Sequence, residues 1–226
     1  MLKWKNLLII KIDILMNIFQ GLICILIYKW VSVYDVYSRE KICVFIITAS
    51  KILEVSFFVL SDYKKECKAN NFQNILSYSK IERIILIKIL SILILIFSFS
   101  LITVIIVKSF INTDYVSAVR LTLSVLLSVT AMVSFHVFII FLLGDIINMV
   151  ITIFEVILLI YVVNGYFGRL WIFIMPGYGY KVFFSAFDIS LPEYLLIAFN
   201  IVVFMILSIV VLKFFKKGKF IKGEFN

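Results

Sequence analysis

Long apolar stretches alternate along the chain with short segments that collect most of the charged residues. The apolar stretches are continuous, whereas the strands of a membrane β-barrel alternate polar and apolar positions over about ten residues. An α-helix needs about 20 mostly apolar residues to cross the hydrocarbon core of a bilayer. The pattern therefore predicts six transmembrane helices, at Ile14–Tyr34, Ile42–Leu60, Ile84–Val107, Val116–Leu143, Ile146–Val163 and Tyr194–Leu212.

The composition supports this prediction. Apolar residues make up 64% and charged residues 15% of the 226 residues, whereas a soluble domain has about 45–50% apolar and about 25% charged residues. The segments between the predicted spans are too short for a second folded domain. We therefore expect an all-α integral membrane protein that forms one transmembrane domain over residues 1–226.

Two segments outside the spans are predicted to be amphipathic. Residues 1–13 combine Lys3, Trp4 and Lys5 with apolar residues, which is typical of a helix at the membrane surface or of a charged flank of the first span. No small-x-small cleavage site follows them before residue 28, so we expect this segment to be retained. Residues 61–83 place Phe72 and Ile75 on one face of a helix and charges on the others. The alternative for this second segment is a loop that only balances the charge.

Residues 164–193 contain many aromatic side chains and are too apolar for a solvated loop. Pro176, Gly177 and Gly179 interrupt the segment too often for a single span. We therefore expect short helices that dip into the outer leaflet and return on the same side, a re-entrant segment. A simple aromatic belt at the membrane interface is the alternative.

The positive charges are distributed unequally between the two sides of the membrane. The formal net charge is +9, and Lys and Arg collect in the cytoplasmic loops of membrane proteins. One side receives Lys3, Lys5, Lys11, Lys64, Lys65, Lys68, Lys80, Arg83, Lys88, Lys213, Lys216, Lys217, Lys219 and Lys222. The other receives Lys29, Arg39, Lys41, Lys108, Arg120, Arg169 and Lys181. We therefore predict that both termini are cytoplasmic and that the charge does not serve nucleic-acid binding. An even number of spans agrees with this prediction, because it places the two termini on the same side.

Four ionisable residues fall inside the predicted spans. Lys51 and Glu54 are three positions apart in span two, so they share a helix face and are predicted to pair. Glu155 in span five has no local basic partner, and His136 is the single histidine of the chain. Each of these residues fits either an interhelical contact or a position along a substrate pathway. Asn17, Asn148 and Asn200 are predicted to hydrogen-bond between helices.

The chain lacks the motifs of common enzymes. No GxxxxGK[ST], HExxH or GxSxG sequence occurs, and Cys24, Cys43 and Cys67 have no CxxC spacing. We therefore expect no catalytic residue, no metal site and no cofactor in this chain.

The connection between spans two and three carries a resemblance to a known family. Glu66 follows span two, Asn70–Asn71 stands at the place of a Gly-Thr-like pair, and Ile75–Leu76–Ser77 matches a Leu-Leu-Ser-like step. Arg83 and Lys88 then lead into span three. In this layout, which extends over nearly the whole chain, the protein resembles a permease of the type-2 ABC exporter (ABC-2) superfamily. It is most similar to the lantibiotic, or bacteriocin, self-immunity permeases.

The resemblance implies a function in export. A separate ATPase subunit, present as a homodimer that holds ATP and Mg²⁺, would dock on the connection. The residues implied in docking are Lys65, Glu66, Asn70, Asn71, Phe72, Ile75, Leu76 and Ser77. A second permease copy or a homologous sister permease would complete the assembly, and the cargo would be an amphipathic peptide. The abundance of Ile, Lys, Phe and Asn is in keeping with an AT-rich Firmicute genome, so we expect the protein in the plasma membrane of a Gram-positive bacterium.

Two other functions stay open. An ion-coupled secondary transporter would have inverted repeats, broken helices and carboxylates near the midplane, and the sequence offers only Glu54 and Glu155 for the last feature. A membrane immunity protein or scaffold that does not transport would lack the same enzyme motifs.

Overall fold

The computed structural model describes residues 2–30, 36–68, 81–111, 115–166, 168–185 and 190–216. Within these ranges the chain forms seven α-helices and one 3₁₀ helix, without β-strands. The α-helices are α1 (Leu2–Trp30), α2 (Val36–Lys68), α3 (Ile81–Ile111), α4 (Tyr115–Leu143), α5 (Asp145–Val163), α6 (Pro176–Ser185) and α7 (Leu191–Lys216), and the 3₁₀ helix is η1 (Gly168–Phe173).

Five of the predicted spans are confirmed as helices that are long and apolar enough to cross a membrane. Their apolar parts are Arg39–Cys67, Leu86–Ser109, Ala118–Leu143, Asp145–Val163 and Leu191–Val211. The protein is therefore a multi-pass membrane protein. In α1 the apolar part among the described side chains, Ile14–Lys29, is shorter than these five. The first of the six predicted spans, Ile14–Tyr34, therefore stays a prediction. Helix α1 is continuous from Leu2, without a break between the predicted surface helix and the first span.

Helix α2 is longer than the predicted second span. It has 33 residues and a length of about 50 Å, against a hydrocarbon core of about 30 Å. The first part of the connection predicted over residues 61–83, up to Lys68, is the end of α2. Arg83 lies within α3. Six residues predicted to dock a partner lie outside the described residues, namely Asn70, Asn71, Phe72, Ile75, Leu76 and Ser77.

Helices α2 and α4 occupy the centre of the bundle. Helix α4 packs against α2, α3, α5, α6 and α7, while α2 also packs against α1 and α5. The residues of the apolar core include Val55, Val129, Met132, Val133 and Leu159. At Gly21, α1 approaches α3 so closely that an added Cβ would lie 2.7 Å from Cγ2 of Ile106. A larger residue at position 21 would therefore have to displace Ile106.

The aromatic segment forms the short helices η1 and α6, as predicted. Helix α6 packs against α2, α4 and α5, and its Tyr178 is fully buried. An added Cβ at Gly179 would lie 3.0 Å from Cβ of Ser128 in α4. Ser128 lies about ten residues, or roughly 15 Å, from the start of the apolar part of α4. The segment therefore packs against the middle of α4, and its re-entrant topology stays a prediction.

Gly144 alone separates α4 from α5. Its φ of 86° lies in the left-handed region, which favours glycine. Gly144 is the N-cap of α5, so Asp145 is its first residue. The Asp145 carboxylate accepts a hydrogen bond of 3.0 Å from the backbone N–H of Ile146, a position that suits the helix dipole.

Candidate functional site

A lysine cluster lies where α1, α2 and α3 meet. Lys51 and Glu54 are only 1% and 3% exposed, and the Lys51 ammonium pairs with the Glu54 carboxylate, as predicted. The same ammonium donates a hydrogen bond of 2.6 Å to Oδ1 of Asn17. The Thr103 hydroxyl donates to the backbone carbonyl of Asn17 at 3.0 Å. The cluster therefore places a buried cation between a carboxylate and an amide, and it connects three helices.

Some polar atoms of this region have no hydrogen-bond partner among the described residues. Gln20, 5% exposed on α1, has neither its amide nitrogen nor its amide oxygen paired, and Oε1 of Glu54 is also unpaired. An unpaired buried polar group costs about 1–3 kcal/mol, and buried water commonly satisfies such groups. The face of α1 that holds Asn17 and Gln20 can therefore accept water or a polar group of a ligand.

A histidine cluster lies on another side of α2, where α2, α4 and α5 meet. Fully buried His136 of α4 has its Nδ1 2.8 Å from Oδ1 of Asn148 and its Nε2 2.8 Å from Oε2 of Glu155. The Asn148 amide donates to Oγ of Ser56 at 3.1 Å. The Thr152 hydroxyl lies 2.6 Å from the same Ser56 oxygen. The cluster thus joins three helices through a continuous chain of hydrogen bonds.

The hydrogen bonds of this cluster determine its net charge. Because the Asn148 amide donates to Ser56, its Oδ1 faces His136, and Nδ1 of the imidazole must carry a proton. The contact between Nε2 of His136 and Oε2 of Glu155 then contains one proton, bound to either atom. Both arrangements, imidazolium with carboxylate or imidazole with carboxylic acid, are neutral as a pair. A second proton would give the cluster a positive charge.

Ion pairs connect α2 to α3 and α5 at one end of the bundle, which we name the Lys88 end. Lys88 of α3 lies 2.8 Å from the Asp62 carboxylate and 2.6 Å from the Glu66 carboxylate, both on α2. Lys64 of α2 reaches Asp145 at the start of α5 at 3.5 Å. The neighbouring Lys65 is exposed. The end of α2 is therefore held against two other helices, whereas Lys65 faces outward.

The structure brings together some of the predicted residues and keeps others apart. Lys51 pairs with Glu54, and His136 with Glu155, but these pairs belong to different clusters. The predicted interhelical roles of three asparagines are confirmed, since Asn200 also bonds across helices, donating to the Tyr178 hydroxyl at 2.9 Å. Other participants were not predicted from the sequence, namely Gln20, Ser56, Asp62, Thr103 and Thr152. Of these, Thr152 had a signal, because it shares a helix face with Asn148 and Glu155.

The described residues contain no group of three or more His, Cys, Asp and Glu side chains placed to hold a metal ion. No protein-family model, no curated protein and no solved structure matches the chain.

Proposed function

We propose that the chain is the membrane-spanning permease subunit of an ABC exporter. The exporter expels an amphipathic peptide, of the lantibiotic or bacteriocin kind in self-immunity, or another hydrophobic compound. ATP and Mg²⁺ are bound by a separate ATPase homodimer, so this subunit supplies no catalytic residue. A second permease, identical or homologous, completes the complex in the plasma membrane of a Gram-positive bacterium, with both termini of this chain in the cytoplasm.

One observation carries the proposal, the ion pair between Glu66 and Lys88. The sequence resemblance singles out both residues, which are separated by 22 positions in the chain and lie 2.6 Å apart. Asp62 adds a second carboxylate to the same ammonium at 2.8 Å. The acidic residue after span two and the lysine of span three thus hold α2 against α3.

The length of α2 suggests how a partner acts on the bundle. The helix exceeds the hydrocarbon core by about 20 Å, and its last turns carry Lys64, Lys65 and Lys68. A force applied there passes to α3 through Lys88 and to α5 through Asp145. Movement of the partner ATPase would thus reach three spans through the end of one helix.

The buried charges fit a cargo that is not a free ion. Lys51 is paired with Glu54, and His136 with Glu155, so each buried pair in the described interior is neutral. Charged groups at the bilayer centre cost several kcal/mol unless they are paired. A neutral interior suits an amphipathic or hydrophobic compound that enters from the membrane.

The experiment is co-purification of the detergent-solubilised protein with each ATPase encoded beside it. We expect one ATPase to co-purify and its hydrolysis rate to rise on reconstitution with the permease. Glu66→Ala should lower this stimulation about five- to tenfold, the lower part of the roughly 5–150-fold range that typical coupling energies produce. Lys65→Ala removes a neighbouring exposed charge and tests direct docking, while Lys29→Ala at the opposite end is the matched control. An intact, membrane-inserted protein that binds no ATPase would refute the proposal.

The histidine cluster favours a second candidate, a proton-coupled secondary transporter. Such a protein needs a buried group that binds and releases a proton, and His136 with Glu155 provides one. This candidate predicts substrate uptake or efflux driven by a pH gradient without ATP. In that assay Glu155→Gln would abolish transport, whereas an ABC permease would respond only to ATP.

A further inference from the structure

Two cysteines face each other where α1 crosses α2. The Cys24 thiol lies 3.9 Å from the backbone carbonyl oxygen of Cys43, and the Cys43 thiol lies 3.6 Å from the carbonyl oxygen of Cys24. Each sulfur therefore lies against the backbone of the other residue, and the two side chains meet between the helices. Both cysteines are free thiols, and they are 0% and 5% exposed. Neither belongs to the lysine cluster, the histidine cluster or the ion pairs of the Lys88 end, so the pair is a separate site.

A small cavity lies beside one of the two thiols. Its volume is about 30 Å³, its walls come from α1, α2, α3, α4 and α6, and of the two cysteines only Cys43 is among the described residues that line it. A cavity holds a water molecule from about 10–15 Å³ upward, so this one has room for a molecule of one or two non-hydrogen atoms. The cavity therefore offers such a molecule a place beside Cys43 but not beside Cys24.

An amide without partners lies close to the thiol pair. Gln20 is four positions before Cys24, which places it one turn away on the same face of α1. It is 5% exposed, and neither its amide nitrogen nor its amide oxygen has a hydrogen-bond partner among the described residues. A buried donor and acceptor without partners favour the presence of a small polar molecule. The surroundings of the pair therefore suit a molecule such as water or hydrogen peroxide.

We infer that Cys24 and Cys43 form an oxidation site for hydrogen peroxide, in which Cys43 reacts first and Cys24 converts the product into a disulfide between α1 and α2. In the first step the Cys43 sulfur bonds to one peroxide oxygen as the O–O bond breaks, which gives a sulfenic acid. The thiol proton leaves with the other oxygen as water. In the second step the Cys24 sulfur bonds to the Cys43 sulfur, the S–O bond breaks, and the hydroxyl group leaves with the Cys24 proton as water. The two sulfurs together lose two electrons, and the peroxide is reduced to two water molecules.

Two features distinguish this pair from structural cysteines, which are buried and inert. The cavity gives a small oxidant access to Cys43, and a second thiol is in contact with it. Redox-sensing cysteines often lie next to such a resolving thiol. The disulfide would fix α1 to α2 about two turns from Asn17, and would thereby hold the lysine cluster in its present arrangement. The site would act in an exporter, a secondary transporter or a scaffold alike, so the inference does not depend on the proposed function.

Trapping of the sulfenic acid tests the order of the two steps. The detergent-solubilised full chain with Cys67→Ser is treated with hydrogen peroxide and dimedone, a diketone that binds sulfenic acids, and its mass is measured without reduction. We expect a mass loss of about 2 Da, from two hydrogen atoms, and no dimedone adduct, because the disulfide forms first. Addition of Cys24→Ala should leave one adduct on Cys43. Cys43→Ala is the matched control, since it keeps a buried thiol at the same crossing, and Cys24 should then stay unmodified.

The size of the oxidant provides a second test, which needs no substitution within the pair. The Cys67→Ser chain is treated with hydrogen peroxide or with tert-butyl hydroperoxide, which is too large for a cavity of about 30 Å³, and glutathione is the reference thiol. We expect the disulfide with hydrogen peroxide only, whereas both oxidants convert glutathione.

Three results would overturn the inference. The first is an equal reaction of the chain with both oxidants, relative to glutathione, since the cavity would then not control access. The second is a chain whose Cys24 and Cys43 stay reduced with either oxidant, as structural cysteines do. The third is a dimedone adduct on Cys24 in the chain with Cys43→Ala, which would contradict the order of the two steps.

Discussion

The contact between His136 and Glu155 predicts an energetic coupling that a double-mutant cycle measures. His136→Phe removes two hydrogen bonds of 2.8 Å and leaves the Glu155 carboxyl group and Oδ1 of Asn148 without them. We expect the free energy of unfolding to fall by about 2–4 kcal/mol. Glu155→Leu leaves one imidazole nitrogen unpaired and should cost about 1–3 kcal/mol. The free energy of unfolding that the double variant loses should be at least about 1 kcal/mol smaller than the sum of the two single-variant losses. In the double variant neither the Glu155 carboxyl group nor the His136 imidazole is present to be left unpaired.

The assay is unfolding in mixed micelles of a mild detergent and dodecyl sulfate, followed by the loss of helical circular dichroism. Ile153→Leu is the control, since Ile153 lies on the same helix as Glu155 but is 62% exposed. Its unfolding free energy should change by no more than about 0.5 kcal/mol. A coupling energy within about 0.3 kcal/mol of zero is typical of distant, independent sites. Such a result would contradict the hydrogen bond between His136 and Glu155.

Two further predictions test the position of α1. Gly21→Ala should lower the free energy of unfolding by about 1–3 kcal/mol, because the added Cβ would lie 2.7 Å from Cγ2 of the β-branched Ile106. A second substitution in the same chain, Ile106→Ala, should restore part of this loss. Mild oxidation of a Cys67→Ser variant should link Cys24 to Cys43, since each sulfur lies within 3.9 Å of the other residue's carbonyl oxygen. Mass spectrometry of the unreduced protein detects the link, which must be missing after Cys24→Ser. Absence of both effects would contradict the packing of α1 against α2 and α3.

The sequence predicts the spanning helices well because lipid constrains them strongly. A backbone in hydrocarbon must satisfy its own hydrogen bonds, so a continuous apolar stretch such as 86–109 has no alternative to a helix. The boundaries are less constrained. Helix α2 continues from the apolar part to Lys68 because charged residues at its end are also good helix formers. Nothing in hydropathy alone marks where such a helix stops.

Sequence spacing predicts the contacts of the candidate site only where both residues lie on the same helix. Lys51 and Glu54 are one helical turn apart, so their pairing follows from sequence spacing. The partner of Glu155 does not, because His136 is 19 positions away on another helix. That contact depends on the rotation and relative depth of α4 and α5, which periodicity does not determine. Ser56 gave no signal at all, since a lone serine in an apolar span commonly bonds to its own helix.

Helix α2 is the element that connects the separate parts of the molecule. Lys51 and Ser56 are five positions apart, which places them about 140° apart around the helix. One of these sides joins α1 and α3 through the lysine cluster, and the other joins α4 and α5 through the histidine cluster. The same helix carries Glu66, which pairs with Lys88 at the Lys88 end. A rotation or tilt of α2 therefore cannot change one cluster without straining the other.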